Sequence, residues 1–371
     1  MQNKSNLLKQ IAGIAIGVFL LLACIVFAFW GNKEENQPVQ MSWESIPADS
    51  KEGSAENQEV SAQESEIFKS EEQESVQESK EDTTEYYFVL TKVLPVYASD
   101  SIAENAKAAP VEKLNRGDKV EWLHEGEAEN QYCKIRTVSG TEGYVWFDCV
   151  DLMTQEKFDG KKDKVIVIDP GHQGKQNSEK EPVGPGASET KAKVSSGTSG
   201  VSSGVPENQL TLAISVKLEK KLEELGYTAV ILRRSADINI SNMERAMIAN
   251  VVEADAFIRI HADGSANPDA NGSMTIICTK DNKYDVAKHY EESRKLAELV
   301  LDEYTDATGI KANRIMESDV YSGINWCTVP VTILEMGFMT NPEEDKKMQD
   351  EKMQDKMVEG IASGLTNYLE E

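Results

Sequence analysis

Three apolar, strand-like runs in this chain end on side chains able to do chemistry. "VIVIDPGH" ends on His172, "FIRIH" on His261 and "VTILE" on Glu335. Taken alone, His172 behind Asp-Pro-Gly reads as a turn residue facing water. In open α/β sheets, however, ligands bind beyond the carboxyl ends of the strands, so three such endings in one sheet point to a shared crevice. Two imidazoles and one carboxylate form a catalytic zinc set that leaves a position open for water. Zinc lowers the pKa of water towards 7 and polarises a carbonyl, which suits amide hydrolysis. A further carboxylate must then take the proton. Glu335 is placed for that role: it follows an apolar strand and precedes "MGF", so it is expected to be buried, where an unpaired carboxylate is costly. The carboxylate ligand is expected at Glu207, in the first turn of a helix whose dipole favours negative charge. Glu179, Glu181 and Glu189, in the loop before that helix, are its rivals.

The elements that must deliver these groups alternate between strand and helix. "KVIVID", "TAVILRR", "DAFIRIHA", "SMTIIC" and "VPVTILEMGF" are apolar strand candidates. Helical stretches are expected at 207–225, 242–252, 284–304 and 343–369. In the first of these, Leu210, Ile214, Leu218, Leu222 and Leu225 recur at helical spacing, with Pro206 before it and Gly226 after it. Near-continuous apolar strands alternating with helices predict an α/β fold, a mostly parallel sheet covered by helices on both faces, over 164–371.

Upstream, the character of the chain changes twice. Residues 85–153 carry short β-type runs, "YYFVLTKVLPVYA", "KVEWLHE", "QYCKIRTV" and "EGYVWFDCVDL", separated by turn signals, which predicts a small all-β barrel. Residues 31–84 are rich in Glu, Ser and Gln and too poor in apolar side chains to offset the entropy of ordering, so they are expected to form a disordered tether. Residues 11–30, "IAGIAIGVFLLLACIVFAFW", form an uncharged run of the length that spans a hydrocarbon core of roughly 30 Å. Lys4 and Lys9 favour the cytoplasmic side, so residues 1–30 read as a single-pass membrane anchor with everything after Trp30 outside the cell. A cleaved signal peptide is the rival reading. The formal charge of -25 argues against a nucleic-acid partner, since phosphates must be met by Lys and Arg. Of the five cysteines none forms a CxxC pair, so a cysteine-built metal site is not expected. Cys133 and Cys149, within one small domain, are either disulfide partners or free buried thiols.

Residues 164–370 resemble the zinc-dependent N-acetylmuramoyl-L-alanine amidases of the type-3 family. The resemblance is carried, in order, by "VIVIDPGHQG", "ENQLTLAISVKLEKKLEELGYTAVILRR", "ERAMIAN", "AFIRIHADGS" and "VPVTILEMGFMTNPEED". It implies zinc held by His172, Glu207 and His261, with Glu335 as the catalytic glutamate. The implied reaction cleaves the amide between the lactyl group of N-acetylmuramic acid and L-alanine in peptidoglycan. Residues 85–153 resemble a bacterial SH3-like domain through "LNRGDKVEWL", "YCKIR" and "GYVWFDCV", which implies a cell-wall polymer as its partner, a plain spacer being the alternative. A non-catalytic wall-binding or regulatory protein that keeps the fold, and a zinc peptidase acting within the stem peptide, are the rival functions.

Two departures from the family stand out. "RIHADGS" replaces the usual Ser-Ile-His-Ala-Asn, with Asp263 in place of asparagine. Arg259 lies on the same face as His261, where it either binds a stem-peptide carboxylate or pairs with an acidic neighbour. The loop 173–205 is also longer than the family's usual connection, which suggests a lid or a groove wall. Asn325 and Trp326 are groove candidates, or part of a packed loop. Arg245 and Asn250 are expected to be structural, Asp169 to cap the Asp-Pro-Gly turn, and His124 and His289 to lie on the surface.

Overall fold

The computed structural model describes residues 84–123 and 131–371. The expected membrane span, the acidic stretch up to residue 83 and His124 fall outside them. Among the described residues no helix is long and apolar enough to cross a membrane.

The first part is a small β domain. Strands β1 (Glu85–Val89), β4 (Lys119–Trp122), β5 (Tyr132–Thr137), β6 (Glu142–Trp146) and β7 (Val150–Thr154) form an antiparallel sheet in the order β6-β5-β4-β1-β7. A second pair, β2 (Val93–Val96) with β3 (Glu112–Asn115), is joined to β6 by a bridge between Tyr97 and Tyr144. Two short helices, α1 (Ile102–Asn105) and α2 (Gln155–Asp159), complete it. Cys133, Cys149, Cys278 and Cys327 are buried free thiols, so the Cys133–Cys149 alternative resolves to thiols.

In the second part, strands β8 (Val165–Pro170), β11 (Thr228–Ile231), β12 (Ala256–Asp263), β13 (Ser273–Ile277), β14 (Ala312–Glu317) and β15 (Val331–Phe338) form one sheet, ordered β11-β8-β12-β15-β13-β14. Every neighbouring pair is parallel except β13 with β15, so the sheet is mostly parallel, as expected, and mixed through that one pair. Strand alternation divides its side chains between two cores. Ile166, Ile168, Ile258 and Ile260 face α3 (Glu207–Glu224), α5 (Tyr290–Thr308) and α8 (Glu351–Glu370), which supply Ile214, Leu218, Val300 and Leu365 to the same core. Val165, Val167, Phe257 and Val331 face the other way, where α4 (Asn242–Val251) and α6 (Ser322–Asn325) supply Ala246, Ile248 and Ile324.

That second face departs from the expectation of helices alone. Val89, Leu94, Ile135 and Val145 of the small domain belong to the same continuous apolar cluster as α4 and the sheet. Polar contacts reinforce the junction: Asp148 accepts from the Ile231 amide at 3.2 Å and pairs with Arg234 at 2.6 Å, and Lys92 pairs with Asp255 at 2.8 Å. The β domain is thus a cover for the sheet as well as a neighbour of it.

Several boundaries also differ. The expected helix at 284–304 begins with a 3₁₀ turn, Asp285–His289, and ends at Gly309, whose φ of +69° is the left-handed stop that glycine tolerates. The stretch 343–369 is two helices, α7 (Pro342–Gln349) and α8, because Asp350 breaks the first and caps the second by accepting from the Met353 amide. Within 173–205 the chain forms a hairpin, β9 (Asn177–Pro182) with β10 (Thr190–Val194), which lines the site as a wall.

Candidate active site

His172, Glu207 and His261 converge at the carboxyl edge of the sheet. One ligand atom from each lies within 4.8 Å of the others. The Glu207 carboxylate spans the two imidazoles, 3.0 Å from His172 Nε2 through one oxygen and 3.0 Å from His261 Nδ1 through the other. Its aim is set by backbone donors: the amides of Thr198 and Ala262 reach Oε2 and Oε1 at 3.0 and 3.1 Å. Burial raises its proton affinity, but the hydrogen bonds to His172 and His261 hold the carboxyl well below its ordinary range. Burial pushes the pKa of His261 down, against the pull of Glu207, which favours the neutral ring. His172 places Nδ1 3.0 Å from the Ser195 carbonyl, which orients the ring and leaves Nε2 towards the cluster.

The turn that carries His172 is held from beneath. His172 itself sits at φ +61°, a strained conformation for a side chain of this type. Two buried arginines grip the turn's carbonyls. Arg233 donates to Pro170 and Gly171 at 2.9 and 2.8 Å, and Arg245 donates to Pro170 and His172, each at 2.9 Å. Asp169, fully buried, accepts from Arg245 and, at 2.8 Å, from Arg259. Burial works against ionisation of Asp169, yet the two guanidiniums bring its pKa down to about 2. Asp169 is therefore the anionic keystone of an arginine cluster, which corrects its reading as a turn cap. Arg233 went unnoticed in the sequence because "ILRR" carries no sign of which arginine turns inward.

Glu335 is the register neighbour of His261 on the adjacent parallel strand. Both line a cavity of about 630 Å³ together with His172, Glu207, Asp263 and Tyr321. The Glu335 Oε2 atom is shielded from solvent and has no hydrogen-bond partner among the described residues. Burial, then the negative charges of Glu207 and Asp263, raise its pKa well above the carboxylate range. A polar atom left without a partner in this way is expensive in a protein interior.

A family model described as N-acetylmuramoyl-L-alanine amidase matches residues 166–367, more than half of the chain. The chain belongs to the N-acetylmuramoyl-L-alanine amidase family. It is 27% identical over 240 residues to the amidase AmiC of Neisseria meningitidis serogroup B, covering 55% of this chain but about half, 52%, of that relative's length. It is likewise 27% identical over 270 residues to the probable cell wall amidase LytH of Staphylococcus aureus, covering 71% of this chain and 79% of that one. The crystal structure of the amidase Ami1 from Mycobacterium smegmatis superposes with a TM-score of 0.51 at 25% identity, over 56% of this chain and 97% of that one.

Within this amidase framework the remaining expectations resolve individually. Arg259 lines the cavity beside His261, but its guanidinium is committed to Asp169 and to Asn242 Oδ1 at 2.8 Å, the acidic-partner alternative. Asn325 is 1% exposed and bonded to Asn282, Val183 and Asp319, so its expected role as a groove residue gives way to that of a buried loop clasp. Trp326 donates to the Pro182 carbonyl at 2.9 Å and belongs to the same packed loop. Of the rival carboxylates, Glu181 is buried against the Met243 amide and Glu179 pairs with Lys193, both apart from the cluster. Asn250 bonds Trp326 and Thr328 and so ties α4 to that loop. His289 is half-buried where α5 begins and takes no part in the site.

Proposed function

We propose that this protein is a peptidoglycan hydrolase that cleaves the amide between the lactyl group of N-acetylmuramic acid and L-alanine of the stem peptide. One observation carries the reading: Glu335, one of whose carboxylate oxygens is shielded and unpartnered, lines the same cavity as the His172–Glu207–His261 cluster. A buried carboxylate whose proton affinity is raised by its surroundings, beside a cation-binding set, is the equipment of amide hydrolysis.

The donor set fits zinc. Two imidazoles and one carboxylate converge, each steadied by a second hydrogen bond or a packed neighbour, and the other side is open to the cavity. His172, Glu207 and His261 would hold zinc, which would supply Lewis-acid polarisation of a carbonyl and acidify water. Glu335 accepts the proton of the attacking water, then delivers it to the nitrogen leaving with L-alanine. The parallel pairing of β12 with β15 keeps Glu335 beside His261 through these transfers.

The same reading extends to the rest of the chain. The small β domain is an SH3-like module whose partner is a cell-wall polymer, and residues 1–30 anchor the protein in the cell membrane with the catalytic part facing the wall. Full-length protein in detergent, incubated with peptidoglycan with and without a chelator, tests the reaction. New L-alanine amino termini, lost on chelation, are expected, and Glu335→Gln is expected to abolish their release while retaining zinc. Cuts elsewhere in the stem peptide would replace the amidase reading with a peptidase.

A further inference from the structure

The hairpin β9–β10 presents an unused strand edge to the catalytic cavity. Antiparallel pairing alternates between residues that exchange backbone hydrogen bonds and residues whose N–H and C=O face outward. The Val183 amide donates to Glu189 at 3.1 Å, which makes that pair a bonded one. In the register of the hairpin Lys191 faces Glu181 and is again a bonded pair, whereas Thr190–Pro182 and Ala192–Lys180 are not. Pro182, which has no N–H, sits at a position where none is needed. The Ala192 N–H, on the regular side of the register shift that follows Ala192, therefore points away from β9. Among the described residues β10 pairs with no other strand, Ala192 is exposed, and it lines the cavity. Among the described residues no hydrogen bond occupies its main chain from that side.

The edge is held ready. Asn242 donates to the Lys193 carbonyl at 2.8 Å, Trp326 to Pro182 at 2.9 Å and Asn325 to Val183 at 3.0 Å, so the strand is fixed before any ligand arrives. A pre-ordered edge loses little entropy on binding an extended chain. Charge is distributed along the cavity too. Glu207, Asp263 and Glu335 gather at the reacting end, whereas Lys191, on the hairpin wall, reaches across to the Val320 carbonyl at 2.6 Å. A carbonyl is a weaker acceptor for an ammonium than a carboxylate, so an acidic ligand displaces it.

We propose that the cavity-facing edge of β10 is a subsite for an extended acidic peptide, which pairs with Ala192 as a one-residue β-bridge and sets a carboxylate on Lys191 in place of Val320. Its identity as the peptidoglycan stem peptide rests on the amidase reading above; the binding itself does not.

The test uses full-length Glu335→Gln protein in detergent, so that no turnover intervenes. It is titrated with a free stem tetrapeptide lacking muramic acid and with the same peptide carrying carboxamides for carboxylates. Ala192→Pro removes only the outward N–H, at an edge position where proline is tolerated. It is expected to weaken both peptides roughly tenfold, the worth of a lost main-chain hydrogen bond, with an unchanged thermal melt. Lys191→Met is expected to erase the preference for the carboxylate peptide and leave carboxamide binding unaltered. Should Ala192→Pro lower the melting temperature, the Lys191→Met comparison decides alone. Absence of peptide binding, unaltered affinity in folded Ala192→Pro, or a preference that survives Lys191→Met would overturn the subsite. Product analysis of peptidoglycan digestion, by contrast, judges the amidase reading independently.

Discussion

Asp169 is the residue whose replacement interrogates the site's foundations most directly. It touches none of the proposed zinc ligands, yet it neutralises Arg245 and Arg259, both nearly fully buried, and Arg245 in turn grips the turn that carries His172. Two routes give the size of the effect. The fall of its pKa from 3.8 to about 2 is worth roughly 2.5 kcal/mol in favour of the ionised form, at about 1.4 kcal/mol per tenfold change in proton affinity. Removing one partner from a buried ion pair typically costs about 3–5 kcal/mol, because the surviving charge keeps its desolvation penalty. The second figure is larger because Asp169→Asn also presents an amide N–H to guanidiniums that need acceptors. We therefore expect Asp169→Asn to lose about 3 kcal/mol at neutral pH, a fall in Tm of roughly 6–12 °C for a domain of this size. The pH dependence has a definite sign. The native pKa is lowered, so the wild-type contribution is complete above about pH 4 and is lost as pH falls through about 2. Differential scanning calorimetry of the full-length protein, with zinc content measured on the same samples, provides the assay. A Tm within about 2 °C of wild type at pH 7, with zinc retained, would refute the claim that Asp169 holds the cluster.

Two further perturbations probe how the site is assembled. At Gly171 an added Cβ would lie 2.5 Å from two atoms of the His261 ring and 2.7 Å from the Ile260 carbonyl, so Gly171→Ala should displace His261 and lower zinc content after dialysis. Stoichiometric zinc in that variant would show that the contact yields freely. Arg234 joins Asp148 of the small domain at 2.6 Å to Glu219 of α3 at 2.9 Å, and burial pushes Glu219 up to about 7 despite Arg234. Because that native pKa is raised, the stability linked to Glu219 is present below about pH 4.5 and declines as pH rises through about 7. Arg234→Met, leaving two buried carboxylates without their cation, should therefore widen the Tm gap from wild type between pH 5 and pH 8, roughly the range over which Glu219 ionises. A gap that stays constant across that range would sink the account of this junction.

Much of the proposed catalytic constellation was legible in local sequence. Apolar runs such as "VIVID" and "VTILE" are strands wherever they pack, and the residue at each carboxyl end must lie on one edge of a sheet whose strands are parallel. Helical spacing from Leu210 to Leu222 likewise dictated that Glu207 opens a helix, with its carboxylate free for the edge. Polar partnerships were not legible, because a side chain's partner is chosen by proximity in space. Arg259 could have met a ligand or an acid, and only the alignment of β8 beside β12 brings Asp169 to it. Asn325 looked available until the 182–183 and 319 backbones closed around it. The hairpin "NSEKEP…TKAKV" has little intrinsic strand preference and forms because Asn242, Trp326 and Asn325 hold it from outside. The docking of the β domain on the sheet was equally hidden, since each apolar residue needs only to be covered and its sequence does not say by what. Sequence alone determined which groups stand at the carboxyl edge of the sheet; tertiary contact decided what aims them, because strand and helix periodicity are local while hydrogen bonds and ion pairs across the fold are not.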